Sequence, residues 1–143
     1  MLFLNEEEIR SAVTLKEMMD TIEEAFKIFR SGEFYMPERI NVEYLNKNML
    51  YMPCFTQDMI GTKILSLFPE NQGKQLPLIY GLMMLNDYET GRPIAILDAQ
   101  TLTALRTGAV GGVGMRHFAY HDSEERRCCR LRGSGFPSDS LCL

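Results

Sequence analysis

The chain has 143 residues, of which 45% are hydrophobic and 24% are charged, and its formal net charge is −4. This length and composition fit a globular protein with a real core and exclude a disordered chain. The acidic balance, without a concentrated basic tract in the first 120 residues, argues against a nucleic-acid-binding protein and favours small or anionic metabolites as partners. No stretch approaches 18 uninterrupted apolar residues and the start, MLFLNEEEIR, turns acidic at once, so we expect a soluble, cytoplasmic protein that does not bind a membrane.

Two successive helices are predicted near the N-terminus from their capping residues. Asn5 with Glu8, and Thr14 with Glu17, have the spacing of a capping box, in which each side chain satisfies a free amide at the start of a helix. The second helix is expected to end at Gly32, since glycine commonly follows the last helical turn. Its predicted apolar face consists of Met18, Ile22, Ala25, Phe26 and Phe29.

The middle of the chain, residues 37–98, consists of short runs rich in β-branched and aromatic residues, separated by turn signals. The runs are RINVEYL, NMLYMPCF, IGTKILSLF, LPLIYGLMMLND and RPIAILD. Between the last two, DYETGR predicts a hairpin turn in which Gly91 adopts a positive φ. An antiparallel β-meander of about five strands that follows helices and precedes another helix makes this an α+β protein. Because exposed strands need to be covered or paired, we expect a homodimer through the meander.

The stretch LDAQTLTALRTGAVGGVGMRHFA, residues 97–119, predicts a long glycine-rich helix. Each of its glycines costs up to about 1 kcal/mol relative to alanine. Such residues suit close helix packing, which is the commoner cause, or the close approach of a phosphate-bearing ligand. Arg106 and Thr107 at one end of this small-residue surface favour a diphosphate, because a guanidinium and a hydroxyl match phosphate oxygens.

Three cations of the patterned region could carry chemistry: Arg39 in front of one strand, Lys63 inside another and Arg106 on the helix. Lys63 interrupts the apolar run IGTKILSLF, and a buried ammonium needs an anionic partner or a function. The alternative, which the residues alone favour, is that all three are surface cations whose stems pack on apolar neighbours.

A metal site is not predicted. His117 and His121 have the i, i+4 spacing of helical ligands, with Asp122 beside them. However, no HExxH glutamate lies between them and no other ligand cluster accompanies them.

The pattern is lost beyond about residue 120. The stretch HDSEERRCCRLRGSGFPSDSLCL has neither helical nor strand period, and its cysteines have none of the spacings of a zinc site or a disulfide framework. Its Gly133-x-Gly135 is not preceded by the apolar strand that a dinucleotide-binding loop requires. We therefore predict a domain over residues 1–120 and an aberrant, disordered tail over residues 121–143.

Long stretches of the chain resemble the ornithine cyclodeaminase and mu-crystallin family of NAD(P)-dependent enzymes. They are MPERINV and IGTKILSLFPENQGKQLPLIYGLMMLNDYETGRPIAILDAQTLTALRTGAVGGVGMRHFA. The resemblance covers about the first 120 residues and implies the substrate-binding and dimerisation domain of such enzymes, whose strands join those of a second subunit. In the family a Rossmann domain follows, and we interpret the tail as a frameshifted start of that domain, with the rest of it missing.

The resemblance also implies roles for individual residues. Arg39 in the PxR motif and Lys63 in GTK would hold the α-carboxylate and the amine-bearing carbon of a small amino-acid substrate, with Lys63 as the catalytic residue. Arg106 and Thr107 in LRTGA would bind the substrate and the diphosphate of NAD or NADP.

The reaction that the resemblance implies is conversion of L-ornithine to L-proline and ammonia, or a related alanine dehydrogenase or ketimine reductase reaction. Because the cofactor pocket of the family lies in the Rossmann domain, we expect the 143-residue chain to be inactive by itself. Two other functions stay open: a non-catalytic dimerisation module, and a small-anion-binding protein.

Overall fold

A computed structural model describes residues 1–119 of the chain. Its elements in order are β1 (Leu2–Leu4), α1 (Glu6–Ala12), α2 (Leu15–Ser31), β2 (Ile40–Tyr44), β3 (Lys47–Phe55), β4 (Met59–Leu67), a 3-10 helix (Pro69–Lys74), β5 (Ile79–Asp87), β6 (Pro93–Asp98) and α3 (Ala99–Phe118). The predicted α+β class, with helices, a meander and then a long glycine-rich helix, is confirmed. The predicted tail and His121 lie outside the described residues.

The chain divides into two compact units. The sheet unit comprises Met1–Glu6 and Gly32–Gln100, and the helical unit comprises Glu7–Ser31 and the residues from Thr101 onward. The boundary expected at residue 120 falls at the edge of the described residues and stays a prediction.

The strands within residues 1–119 belong to one six-stranded sheet with the order β1-β6-β5-β4-β3-β2. Strands β2 to β6 form consecutive antiparallel pairs, which confirms the predicted meander. The sixth strand, β1, pairs in parallel with β6 and was not predicted. It has only three residues and its partner lies about 90 positions further along the chain, so no local pattern reveals it.

The predicted hairpin between β5 and β6 is confirmed. Gly91 has a φ of +68°, and its amide donates to the carbonyl of Asp87 at 2.9 Å. The Asp87 carboxylate accepts hydrogen bonds from the hydroxyl and the amide of Thr90, and these two bonds lower the pKa of that carboxyl. The turn therefore satisfies its own polar groups, as Asx turns do.

Strand residues alternate between two faces of the sheet. The face that carries Lys63, here called the Lys63 face, includes Leu50, Met52, Cys54, Gly61, Leu65, Gly81, Met83, Leu85 and Ala95. The opposite face includes Ile40, Val42, Tyr44, Tyr51, Ile64, Tyr80, Leu82 and Met84. At Gly81 a Cβ atom would lie 3.1 Å from the Cβ of Ala99, so this glycine allows the start of α3 to approach the sheet.

The second predicted capping box is confirmed at the start of α2. The amide of Thr14 donates to the carboxylate of Glu17 at 2.8 Å, and the amide of Glu17 donates to the hydroxyl of Thr14 at 3.3 Å. The helix ends before Gly32, which has a φ of +75°, as the sequence predicts. These two signals fix both ends of α2 locally.

The core of the helical unit lies where α2 packs against α3. Its members are Met19, Ala109 and Val113, with Leu15, Met18 and Ile22 packed against them. Gly112 explains the closeness of the two helices, because a Cβ there would lie 2.9 Å from the sulfur of Met19. Packing is therefore the reason for at least this glycine of α3.

The predicted apolar face of α2 is only partly buried. Phe26 and Phe29, which the sequence places on this face, are 52% and 65% exposed. Their position explains the difference, because Arg116 and His117, close to the described end of α3, already lie beside Glu23. Phe26 and Phe29 follow later in α2.

Among residues 1–119 no helix is both long enough and apolar enough to cross a membrane.

Candidate functional site

Lys63 lies in the middle of β4, an interior strand of the sheet. Its position in the ladder is opposite Met52 on β3 and opposite Met83 on β5. The residue is half-buried. The sheet thus holds a cation within an apolar surface, where a charge is more weakly screened than in water.

Arg39 immediately precedes β2 and is exposed. Because Ile40 is paired with Tyr51, continuing this register by one residue brings Arg39 alongside Met52. In this extended register Arg39, Met52 and Lys63 lie in one row, with about 10 Å between the backbones of the two cations. Both side chains are long enough to reach one carboxylate above Met52.

The positions around Lys63 on its own face carry no charge. They are Met52 and Met83 beside it, Gly61 and Leu65 along the strand, and Leu50, Cys54, Gly81 and Leu85 on the diagonals. All eight are half-buried. Because they come from three separate strands, only the ladder register brings them together, and the linear sequence gives no direct signal of this surface.

Arg106 and Thr107 belong to α3 in the helical unit. Arg106 is exposed, and within residues 1–119 its guanidinium makes no hydrogen bond or ion pair. The hydroxyl of Thr107 donates to the carbonyl of Thr103 at 2.6 Å. Arg106 therefore fits an anionic group such as a diphosphate, while the Thr107 proton is already bonded within the helix.

The glycines that follow differ in what surrounds them. A Cβ atom at Gly111 or Gly114 would meet nothing within 4 Å, whereas one at Gly112 would meet Met19. Two of the glycines thus leave open surface on α3, and one serves helix packing.

An ionic cluster that the sequence does not predict joins the two helices of the helical unit. One Arg116 nitrogen lies 2.9 Å from a carboxylate oxygen of Asp20 and 2.9 Å from one of Glu23. His117 lies 3.0 Å from the same Glu23 oxygen. The hydrogen bond from Arg116 lowers the pKa of Asp20, and the bond to His117 lowers the pKa of Glu23.

In the described part of the chain no group of three or more His, Cys, Asp or Glu side chains could hold a metal ion.

Known proteins share both the sequence and the fold. Alanine dehydrogenase from Archaeoglobus fulgidus is 37% identical over 122 residues, which are 85% of this chain and 38% of the relative. The structure of an archaeal alanine dehydrogenase dimer with bound NAD matches with a TM-score of 0.76, covering 85% of this chain and 38% of that one. Thermococcus litoralis Δ1-pyrroline-2-carboxylate reductase, solved with NADH and L-proline, also has a TM-score of 0.76 at 35% identity, over 86% of this chain and 39% of that one.

The chain therefore spans about two fifths of the length of these relatives. The family model described as "Ornithine cyclodeaminase/mu-crystallin family" matches residues 1–135, nearly the whole sequence. The chain belongs to the ornithine cyclodeaminase/mu-crystallin family.

Proposed function

We propose that this chain is the substrate-binding and dimerisation part of an NAD(P)-dependent amino-acid oxidoreductase or deaminase. The observation that carries the proposal is Lys63 opposite Met52 in the sheet, together with the register of β2, which when continued by one residue brings Arg39 beside the same Met52. The relatives at 37% and 35% identity, an alanine dehydrogenase and a pyrroline-2-carboxylate reductase, support an amino or imino acid as the substrate.

Arg39 and Lys63 would bind the substrate through its carboxylate. Arg39 offers the bidentate guanidinium that matches a carboxylate, and Lys63 offers an ammonium that adjusts its position on a flexible stem. Held at two points, the α-carbon is fixed in orientation, which is the positioning contribution to catalysis. Lys63, next to the reacting carbon, is the residue of this chain that we assign to the reaction itself.

The helical unit would contribute to cofactor binding through Arg106. Its exposed guanidinium is suited to the diphosphate of NAD or NADP, and the open surface at Gly111 and Gly114 allows close approach. Thr107 would bind the diphosphate by turning its hydroxyl proton from the Thr103 carbonyl, to which it donates at 2.6 Å, toward a phosphate oxygen. A bound nicotinamide supplies the hydride acceptor or donor for the substrate carbon.

The opposite face of the sheet would form a homodimer. Five of its apolar residues are strongly exposed: Ile40 (57%), Val42 (52%), Tyr44 (73%), Tyr80 (43%) and Leu82 (51%). Exposed apolar side chains on a regular sheet are typical of an interaction site on a folded protein. The archaeal alanine dehydrogenase, which matches over 85% of this chain, is described as a dimer, and this supports a second copy as the partner.

A binding titration tests the carboxylate site. We expect the purified 143-residue chain to bind L-proline or L-alanine without NAD-dependent turnover. Arg39→Gln and Lys63→Met should each weaken binding about tenfold or more, since an ionic hydrogen bond contributes roughly 1.5–3 kcal/mol. Arg92→Gln, which removes an exposed cation at the β5–β6 hairpin, is the matched control and should leave Kd unchanged. Equal Kd values for all the variants would refute the assignment.

A further inference from the structure

The segment that leads into β2 contains one residue more than the strand beside it. Tyr35 and Phe55 form an antiparallel pair, in which the amide of each donates to the carbonyl of the other at 2.9 and 2.8 Å. The next pair is Ile40 with Tyr51, at the start of β2. Four residues separate the two pairs on the β2 side, whereas three separate them on β3. An additional residue in one of two paired strands makes a β-bulge, in which two residues lie opposite one.

The registers at the two ends of this segment meet at the same point. Continued from Ile40, the register brings Arg39 opposite Met52. Continued from Tyr35, it brings Glu38 opposite the same Met52. Tyr35 shares the opposite face of the sheet with its partner, whose ring centroid lies 6.1 Å away. Because side chains alternate along a strand, the positions three after Tyr35 and one before Ile40 both belong to the Lys63 face. The bulge therefore brings Glu38 and Arg39 side by side on that face.

The two residues of the bulge carry opposite charges. Glu38 and Arg39 are both exposed, and within residues 1–119 neither side chain makes a hydrogen bond or an ion pair. A free amino acid likewise carries opposite charges on neighbouring groups, its carboxylate and its ammonium. A carboxylate is a strong acceptor for an ammonium, and a guanidinium is a strong donor to a carboxylate. The pair thus matches both charged groups of one amino acid.

We propose that Glu38 binds the nitrogen of the substrate, as an ammonium or as a protonated imine. Glu38 then determines the preference for amino and imino acids over acids that lack this nitrogen. This proposal rests on the proposed carboxylate site of Arg39 and Lys63. With the carboxylate on the two cations and the nitrogen on Glu38, the substrate cannot rotate about its carboxylate, and the orientation of its α-carbon is fixed.

The matched ligand pair L-alanine and propionate tests this role, because the two molecules differ only in the amino group. We expect the 143-residue chain to bind L-alanine at least about tenfold more tightly than propionate. Glu38→Gln should raise the Kd of L-alanine about tenfold or more, because a hydrogen bond between two charged groups is lost. The same variant should leave the Kd of propionate unchanged or lower it. Glu43→Gln removes another exposed carboxylate, on β2 opposite Asn48, and should change neither Kd.

The outcomes separate this proposal from the proposed function. If Glu38→Gln keeps the wild-type Kd for L-alanine while Arg39→Gln weakens it, the role of Glu38 is overturned and the carboxylate site stands. Equal weakening of both ligands by Glu38→Gln would also overturn this role, since a purely structural effect would not distinguish the ligands. Failure of both ligands to bind, at concentrations where the chain is folded by circular dichroism, would overturn the carboxylate site as well.

Discussion

Apolar side chains are buried at the α2–α3 contact but exposed on the opposite face of the sheet. Met19 and Ala109, at the contact, are 1% and 0% exposed. On the sheet, Val42 and Tyr44 are 52% and 73% exposed although they belong to a regular strand. Within residues 1–119 the α2–α3 contact buries its central side chains, whereas strand β2 leaves apolar side chains exposed.

Two arginines of α3 show the same contrast for charge. Arg116 is held by Asp20 and Glu23, both at 2.9 Å. Arg106, ten residues earlier on the same helix, is exposed and makes no such contact within residues 1–119. A cation that joins two elements is structural, and one left available on the surface is suited to a ligand.

The largest effect on stability is expected from truncating the side chain at the centre of the helical contact. Met19→Ala removes a buried side chain that packs against Gly112, and should lower the free energy of unfolding by about 2–5 kcal/mol. Urea denaturation followed by circular dichroism measures this change. Met36→Ala, at a site that is 56% exposed, should cost less than about 1 kcal/mol, and similar losses for both variants would show that the contact is not the core we describe.

Adding a charge to one face of the sheet at a time tests whether the exposed opposite face forms the dimer. Val42→Lys places an ammonium on the opposite face, and we expect it to weaken the proposed dimer at least about tenfold, because a charge would be buried in an apolar interface. Asn41→Lys adds the same charge one residue away, on the Lys63 face of the same strand, and should leave dimerisation unchanged. Analytical ultracentrifugation over a range of protein concentrations measures both. Equal dimer constants would show that the opposite face is not the interface.

Most of the fold could be predicted from local signals. The capping box of Thr14 and Glu17, the positive φ at Gly32 and the hairpin at Gly91 each depend on a few neighbouring residues. Strand β1 could not be predicted, because three residues carry too little periodicity and their partner is remote in sequence. The exposure of Phe26 and Phe29 depends on where a different helix ends, which their own pattern does not contain.

Less of the candidate site is visible in the sequence. Arg39 and Lys63 could be selected because each departs from an apolar or strand pattern, and a family resemblance gave them roles. That both come beside Met52 follows only from the register of β3 and β4 and from extending the register of β2 by one residue. The cluster around Arg116 depends on pairing residues more than 90 positions apart, so it too needed the structure.

The glycines of α3 allow packed and open surface to be compared on a single helix. Gly111→Ala and Gly114→Ala add a methyl group where nothing lies within 4 Å, and each should raise the free energy of unfolding by about 0.5–1 kcal/mol through helix propensity. Gly112→Ala gains the same propensity but pushes against Met19, so its net effect should be smaller. Thermal and urea denaturation of the three variants test this order. A gain at Gly112 equal to the gains at the other two would show that Met19 yields without cost.

The smallest effect is expected from the pH dependence of the Arg116 cluster. The pKa values of Asp20 and Glu23 are lowered from their ordinary values of 3.8 and 4.5, Asp20 mainly by the bond from Arg116 and Glu23 mainly by the bond to His117. A carboxyl whose pKa is lowered in the folded state contributes stability that is fully present when the pH is above its ordinary pKa. This stability is lost as the pH falls through the lowered pKa.

In Arg116→Gln the pKa of Asp20 should rise toward its ordinary value, so the free energy of unfolding should fall less steeply as the pH is lowered from about 5 to 3. Arg30→Gln changes an exposed cation in the last turn of α2 and should keep the wild-type slope. Because both carboxylates lie at the surface, the difference is small. Identical slopes for all three proteins would mean that Arg116 does not hold the helices together in solution.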